Sequence, residues 1–436
     1  MSRRESTFDE IIIESNDGSN SVDVVAGVRS IDYYEDLFSP IITCKITIAT
    51  TGDAMPGKDG KGLGIYNGLP LRGGERVSMK IAANSDTNKP LDFSTNPKDY
   101  LFVSSISNVI AENKREAFTL NLVPREAITN ETTRVSGKYP TDSPIDVSVR
   151  KIIKDYLKTD KPVSVDESSN TYGFIGNLKR PFNILVWLAS KAVPKRQDSG
   201  AGFLFYQTQE GFNFRSIDAL ISSKAVASYA YTDVVKNQTE SNNDFNILKY
   251  SIDRNQNLLE KLRLGAFASF RAAFNPIDCT FTLPQKGLFT QKDYKTKNLG
   301  QELKLPAISN DSNQSLGDLP SRIITSVVDI GTMEKGVSLK PNADPFQYQS
   351  QAVMRYNLLF TQTVKMTVPL NTNLKAGDII ECDFPKVSAD EKPEYDDEQS
   401  GLYMIKELCH HYDNENSLTS MKLVRDTFGK YGTNNK

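Results

Sequence analysis

The sequence has little of the chemistry that most enzymes and metal proteins use. Its 436 residues include only two histidines, which are adjacent, and four cysteines, which form no Cys-x-x-Cys pair. Neighbouring residues on a strand point to opposite faces, so His410 and His411 cannot both serve one site. The isolated cysteines are typical of free thiols in a reducing cytoplasm. We therefore predict no catalytic residues, no cofactor and no metal site.

The charge balance and the hydropathy exclude two further classes of protein. The 52 basic and 54 acidic residues give a net charge of -2, and without a positive excess strong nucleic-acid binding is disfavoured. No apolar run approaches the ~20 residues of a membrane helix, so stable membrane insertion is not expected. The first residues lead into β-type sequence without an apolar signal region, so secretion by that route is not expected either.

Two loops resemble ligand sites but lack the required spacing. Residues 57–62 (GKDGKG) suggest a phosphate-binding loop, yet the four-residue gap before Gly-Lys is missing and Gly62 stands where Ser or Thr is needed. The acidic loop at 389–400 lacks the spaced Asp-x-Asp-x-Asp-Gly pattern of a calcium loop. We interpret both as solvated loops.

A repeat is the strongest pattern in the chain. Three blocks near the start return in the same order near the end. The first copy has 34–38 (YEDLF) with 45–48 (KITI), 71–79 (LRGGERVSM), and 102–106 (FVSSI) with 120–126 (LNLVPRE). The second copy has 356–360 (YNLLF) with 365–368 (KMTV), 374–382 (LKAGDIIEC), and 404–408 (MIKEL) with 421–426 (MKLVRD). This order predicts a duplicated module, which favours a chain that builds by repetition over one that houses a reaction centre.

The first copy is predicted to be a small antiparallel β-domain. Strands are expected at 8–14, 22–28, 41–48, 76–82, 100–110 and 117–123, a spacing typical of a barrel or sandwich. A one-turn helix is predicted at 33–38, ending before Ser39-Pro40. The aromatic side chains of Tyr33, Tyr34 and Phe38 either anchor a neighbouring subunit or pack in the core of this domain.

The middle of the chain changes to helical periodicity. Ser143-Pro144 predicts a helix start with a serine cap, and Pro181-Phe182 opens a second helix that contains Trp187, interpreted as a core residue. A hairpin is predicted over 202–215. Strand-like sequence returns at 225–275, the polar segment 276–344 is an inserted subdomain or an extended loop, and Asp344-Pro345 starts a helix that leads into the second copy.

Several segments resemble the central baseplate hub protein of T-even-like contractile-tailed phages. They are 33–40 (YYEDLFSP), 125–130 (REAITN), 181–189 (PFNILVWLA), 202–206 (GFLFY) and 212–218 (FNFRSID). Residues 401–426 are similar to the wider group of tail hubs, including those of type VI secretion spikes. The resemblance covers most of the chain and is weakest at 276–344.

The resemblance implies a fold that is mainly β with α+β parts. Two tail-tube-like antiparallel β-barrels are expected, with an intervening α/β domain and an inserted subdomain. The expected domains are 1–126 (first barrel), 127–224 (α/β domain), 225–275 with 345–430 (second barrel) and 276–344 (insertion). Candidate subunit-interface residues are Tyr33, Tyr34, Leu37, Phe38, Tyr356 and Phe360.

The same resemblance implies a structural, non-enzymatic role in the virion, with assembly in the host cytoplasm. Three chains would form a ring that adapts a six-fold tail tube to a three-fold spike and encloses the DNA channel. The implied partners are the other two copies, the tail tube or its initiator, the central spike and the baseplate wedges, while genome DNA passes without specific binding. The alternatives are a tail-associated cell-wall hydrolase, and a hub or tube initiator of a non-contractile tail or a secretion system.

Overall fold

One large sheet dominates the computed structural model. The structure describes residues 6–56, 62–231, 245–254, 257–328, 346–387 and 394–430, apart from 87, 113, 196–199, 277, 282–286, 291–292, 294–297, 302–304, 306, 308–313 and 414. The predicted solvated loop at 57–62, except for Gly62, and the predicted helix start at Asp344-Pro345 therefore fall outside the described residues. No helix among the described residues is long and apolar enough to cross a membrane.

The first copy supplies ten strands, most of them in the large sheet. They are β1 (Phe8–Glu14), β2 (Ser21–Asp23), β3 (Val28–Asp36), β4 (Thr43–Thr51), β5 (Met55–Pro56), β6 (Gly62–Leu63), β7 (Arg76–Ile81), β8 (Leu91–Asp92), β9 (Leu101–Glu112) and β10 (Arg115–Pro124). One short helix, α1 (Ile65–Gly68), and 3-10 turns at Val25–Gly27 and Pro97–Asp99 lie between them. Along β4 the apolar side chains of Cys44, Ile46 and Ile48 are buried and Lys45 is exposed, the alternation of a strand with one face on a core.

The second copy supplies the other half of the sheet. Its strands are β16 (Ala225–Ala230), β17 (Lys249–Arg254), β22 (Gln362–Pro369), β23 (Ile379–Asp383), β24 (Gly401–Asp413) and β25 (Ser417–Arg425). The sheet has 14 strands, and its main path is β17-β22-β25-β24-β3-β4-β10-β9-β7-β1-β2. Strands β16 and β23 pair with each other, β23 pairs with β24, and β8 pairs with β7. Both copies therefore belong to one continuous sheet.

The two copies have the same strand order. β3-β4-β10-β9-β7 in the first copy matches β17-β22-β25-β24-β23 in the second. The turn before β7 and the turn before β23 also make the same hydrogen bonds. The Gly74 amide donates to the Val103 carbonyl (2.7 Å), and the Gly377 amide donates to the Ile405 carbonyl (2.8 Å). The repeat predicted from the sequence is thus a repeat of strand pairing.

A β-bulge is also repeated. The register between β9 and β10 shifts after Val103, which leaves Ser104 as the extra residue. The register between β24 and β25 shifts after Ile405, which leaves Lys406 as the extra residue. A bulge bends and twists its strand, so both copies curve at the same point. The bulge also aligns Val103 with Ile405, residue for residue.

The first part of the first block departs from prediction. Tyr33–Asp36 belongs to β3, so the predicted one-turn helix at 33–38 is wrong. The matching residues Tyr356, Asn357 and Leu358 do lie on a helix, α7 (Phe346–Leu358). β3 is a strand because β4 and β24 pair with its two edges and satisfy its backbone groups. The strand at 41–48 was predicted from the sequence, but the pairing of β24 with β3 was not.

The middle segment packs helices on small sheets around its own core. Its helices are α2 (Arg125–Thr132), α3 (Ile145–Ile152, continued as a π turn at Ile153–Leu157), α4 (Pro181–Ala189) and α5 (Ile217–Ile221). Its strands are β11 (Lys138–Tyr139), β12 (Val163–Val165), β13 (Phe174–Ile175), β14 (Phe203–Thr208) and β15 (Gly211–Ser216). The predicted helices and the predicted hairpin β14–β15 are present. The predicted serine cap is wrong, because Pro144 occupies the N-cap position and makes no side-chain cap.

A separate four-stranded sheet begins at the end of the 225–275 segment. It contains β18 (Ala268–Asn275), β19 (Thr280–Phe281), β20 (Leu288–Thr290) and β21 (Arg322–Val327). The helix α6 (Leu258–Leu264) precedes it, and α7 packs against it through Met354 and Leu358. The domain boundaries given above stay a prediction.

Replacing Gly377 with alanine is expected to destabilise the protein by about 2 kcal/mol. Gly377 has a φ of +95°, and an added Cβ would lie 2.8 Å from the Tyr206 hydroxyl. Both effects disfavour any side chain here. Urea unfolding followed by circular dichroism measures the change. Gly52→Ala is the matched control, since nothing lies within 4 Å of its added Cβ, and equal costs at the two positions would contradict the prediction.

Candidate functional site: the junction between the two repeats

Two of the residues nominated for a subunit interface are buried within the chain. Tyr33 and Leu37 have exposed fractions of 1% and 0%. Tyr33 lies in the main core of the sheet, where its ring stacks on that of His410 with the centroids 5.9 Å apart. Leu37 lies in a smaller core between the sheet and the middle segment. Both help to hold the two repeats of one chain together.

The other four nominated residues lie near the surface of the same region. Phe38 is exposed, and its ring centroid lies 5.6 Å from that of Phe360. Tyr356 is half-buried, and its hydroxyl donates to the carbonyl of Phe203. Tyr34 is also half-buried. The structure thus brings Leu37, Phe38, Tyr356 and Phe360 together, and their role between subunits stays a prediction.

The junction itself is a seven-residue antiparallel ladder between β3 and β24. It runs from Glu407 opposite Asp36 to Asp413 opposite Ser30. The adjacent histidines point to opposite faces of this ladder, as the sequence predicted. His410 is buried in the core, and that burial lowers its pKa to about 4. It is therefore neutral near pH 7 and behaves as a core residue.

His411 lies on the other face of the same ladder. Its Nδ1 is 2.6 Å from Asp32 Oδ1, and its Nε2 is 3.3 Å from Asp413 Oδ2. Partial burial lowers its pKa, but the hydrogen bonds and the negative charges of the two carboxylates outweigh this and raise the pKa above the usual value. The pair with Asp32 is an ion pair between the two repeats when the imidazole is charged.

Glu35 connects three parts of the chain. Its carboxylate accepts hydrogen bonds from the Tyr33 hydroxyl (2.7 Å), the Gln209 amide (2.7 Å) and the Ala376 amide (2.9 Å). These partners belong to the first repeat, the middle segment and the second repeat. Glu35 is only 3% exposed, and this burial raises its pKa to about 7. The three hydrogen bonds favour the charged carboxylate and lower the pKa, but burial has the larger effect.

A second buried cluster is centred on Arg355 of α7. Its guanidinium lies 2.7 Å from a carboxylate oxygen of Asp218 and 2.7 Å from one of Asp426. Arg355 and Asp426 are fully buried, and Asp426 also accepts from the Leu299 amide. Burial raises the pKa of Asp218, although Arg355 opposes this shift. The cluster joins α5 of the middle segment to α7 and to the residue after β25.

These buried groups stabilise the fold. Each one bonds to other parts of the same chain, and together they tie the middle segment and both repeats to one junction. In the described part of the chain, no group of three or more His, Cys, Asp or Glu side chains could hold a metal ion. The sequence analysis did not single out Glu35 or Arg355; the only sequence signal was a charged residue among apolar neighbours on a strand or a helix face.

The architecture matches two solved tail proteins over nearly its full length. A tail protein from Neisseria meningitidis MC58 superposes with a TM-score of 0.54, covering 97% of each chain at 10% identity. The tail protein of prophage MuSo2 from Shewanella oneidensis superposes with a TM-score of 0.51, covering 96% of this chain and 98% of that one, also at 10% identity.

The chain has the fold of these two tail proteins. Identities this low establish the shared fold alone. A predominantly β architecture with α+β parts, expected from the sequence, is therefore confirmed. No family model matches the chain.

The chain is also similar in sequence to a curated protein. A probable baseplate hub protein of Vibrio phage KVP40 is 19% identical over 293 residues, which are 64% of this chain and 66% of that protein. The resemblance to phage baseplate hub proteins stated above is thus confirmed. The match leaves about a third of the relative's length unaligned, so its role is carried over to this tail-fold chain only as a proposal.

Proposed function

We propose that this tail-fold chain is a structural hub of a phage baseplate, in which three copies form a ring. One observation carries the proposal: two repeats with the same strand order lie edge to edge in a single sheet. The sequence similarity to a probable baseplate hub protein supports the same role. The chain works by assembly and is not an enzyme.

Duplication resolves a mismatch of symmetry. Three chains with two similar units each present six similar units on one side, which suits a six-fold tail tube. The same three chains remain three-fold towards a central spike. A closed ring requires self-consistent interfaces, and the β3–β24 ladder is the interface that one chain already contains.

The face of the sheet away from the core is suited to line the ring's channel. Lys45, Lys365 and Lys422 lie on this polar face, where each alternates with buried apolar neighbours. Glu407 lies 3.8 Å from Lys422 on the same face. Mixed charges of this kind hold DNA weakly, whereas a strongly basic wall would retain it. Genome DNA then passes through without specific binding.

The remaining partners follow from this position in the particle. The tail tube or its initiator sits on the six-unit face, the central spike on the three-fold face, and baseplate wedges around the outside. The chain assembles in the host cytoplasm and ends in the baseplate of the virion, at the tip of a contractile tail.

The ring makes a direct prediction for the purified protein. Sedimentation velocity is expected to give three times the chain mass of 48.6 kDa, either alone or after addition of spike protein. Electron microscopy of the same sample should show rings with six similar lobes. A monomer mass that persists with spike protein present would refute the ring.

A further inference from the structure

Each chain contains one complete junction between repeats and the two halves of another. In the complete junction, β24 uses one edge for β25 and the other edge first for β23 and then for β3. The segment 407–413 of β24 carries the pairing with β3. The strands equivalent to β24 and β3 in the opposite repeats are β9 and β17.

The first half is the open edge of β9. One edge of β9 pairs with β10, and the other pairs with β7 only through Leu101 and Phe102. Beyond Ser105 no described strand covers that second edge. The side chains there include Val109 and Ile110, which are 45% and 60% exposed. An uncovered strand edge with exposed apolar side chains is a template for pairing with another chain.

The second half is β17, at the far end of the sheet. β17 pairs with β22 as β3 pairs with β4, since Asp253 lies opposite Thr363 and Tyr34 lies opposite Thr43. No described strand pairs the other edge of β17, which corresponds to the edge of β3 that β24 covers. In the described sheet β17 is therefore an end strand, whereas the equivalent strand β3 is followed by β24.

We infer that β9 of one copy pairs antiparallel with β17 of the next copy, repeating the β24–β3 ladder between chains. This inference rests on the proposed ring and names the surface that closes it. The occupant of each edge is a second copy of this chain, because the two edges are the missing halves of a junction that the chain itself displays.

The intrachain ladder sets the register. Cys409 lies opposite Tyr34; Ser107 is equivalent to Cys409 through the shared bulge, and Asp253 is equivalent to Tyr34. Ser107 of one copy therefore lies opposite Asp253 of the next.

A second bulge in β9 adjusts the far end of this pairing. The ladder with β10 shifts between Ala117 and Thr119, next to Asn108, whose φ is +54°. β9 therefore has one extra residue here that has no partner in the pairing. Counting on from Ser107 and Asp253 with this extra residue, Glu112 lies opposite Lys249 of the next copy. Opposite charges directly across a ladder are favourable. The open segment of β9 then matches the whole length of β17.

The alternative, in which two copies pair through the same strand, is disfavoured. Such a contact is isologous and ends at a dimer. It would also leave the other strand of each copy uncovered. A β9–β17 contact is heterologous and uses both edges of every copy, so it generates a ring when the rotation closes.

Disulfide cross-linking tests the pairing. Ser107→Cys and Asp253→Cys are introduced into a Cys279→Ser background, because Cys279 is the exposed native thiol. Oxidation of the double variant should give covalent trimers on a non-reducing gel. An equimolar mixture of the two single variants should give covalent dimers only, and either single variant alone should stay monomeric on the gel.

Sedimentation of the double variant, together with its cross-linking, distinguishes failure of the β9–β17 pairing from failure of the trimeric ring. If the double variant sediments as a trimer but forms no cross-link, the ring stands and the β9–β17 pairing is wrong. If it sediments as a monomer, the ring and the pairing both fail. Cross-linking within single chains would also overturn the inference.

A charge exchange gives an independent test without cysteines. Glu112→Lys and Lys249→Glu should each weaken ring formation by about fivefold in dissociation constant, measured by dilution in sedimentation velocity. The double variant should recover wild-type association, because it restores the opposite charges. Failure of the double variant to recover would count against this register.

Discussion

Replacing Arg355 with methionine is expected to lower the free energy of unfolding by 3–5 kcal/mol, roughly the cost of breaking a buried ion pair from one side. The side chain is fully buried and lies 2.7 Å from each of two carboxylates, Asp218 and Asp426. Methionine fills much of the same volume but leaves two buried carboxylates without their counter-charge. Urea unfolding followed by circular dichroism measures the loss.

An exposed arginine provides the matched control. Arg76 pairs with Glu14 at 2.7 Å, but the two side chains are 47% and 32% exposed. Such pairs contribute about 0–1 kcal/mol, because water screens the charges. Arg76→Met should therefore change the urea midpoint little. If both substitutions cost the same, the cluster around Arg355 does not hold the middle segment to the second repeat as described.

The second large expected effect is that Glu35 makes the free energy of unfolding depend on pH. Burial raises the pKa of Glu35 from 4.5 to about 7 in the folded protein. Between these values the unfolded chain has lost the proton that the folded chain keeps, so this group's contribution to stability falls as the pH rises. The full contribution is present below about pH 4.5 and is lost through pH 7, a change of about 3 kcal/mol.

Glu35→Gln isolates this contribution from other titrating groups. The glutamine side chain does not titrate. Its single oxygen can replace only one carboxylate oxygen, so it keeps either the Tyr33 and Gln209 bonds or the Ala376 bond. That loss lowers stability by the same amount at every pH and leaves the pH dependence to the carboxyl. We expect the wild type to lose about 3 kcal/mol relative to the variant between pH 4 and pH 8. Urea midpoints at several pH values give the difference, and Glu14→Gln serves as the exposed control. Parallel curves for wild type and Glu35→Gln would show that folding does not raise the pKa of the Glu35 carboxyl.

The sequence predicted the parts of the fold that depend on local pattern. The repeat was visible from its blocks, and in two of them, 71–79 and 374–382, a glycine with positive φ, Gly74 or Gly377, precedes an acidic residue at a strand start. The helix α4 and the hairpin β14–β15 were visible from periodicity and turn residues. These features are determined by residues that are close together in the sequence.

The candidate site could not be predicted in the same way. Glu35 accepts from an amide 341 residues away, and one of the two strands that pair with β3 is the distant β24. For Tyr33 the sequence left a subunit interface and the core as alternatives, and the structure stacks its ring on His410 in the core. Long-range pairing decides all three, and nothing in the sequence near residues 33–36 specifies it.

The β3–β24 ladder also constrains the order in which a newly made chain can mature. β3 leaves the ribosome hundreds of residues before β24, as shown by the 370-residue separation of the contact between Asp36 and Lys406. During that interval one edge of β3 has no partner from its own chain and is open to unwanted pairing. A product truncated before β24 would keep that edge exposed permanently. Only a polypeptide that has been synthesised as far as β24 can therefore cover this edge of β3 with its own strand.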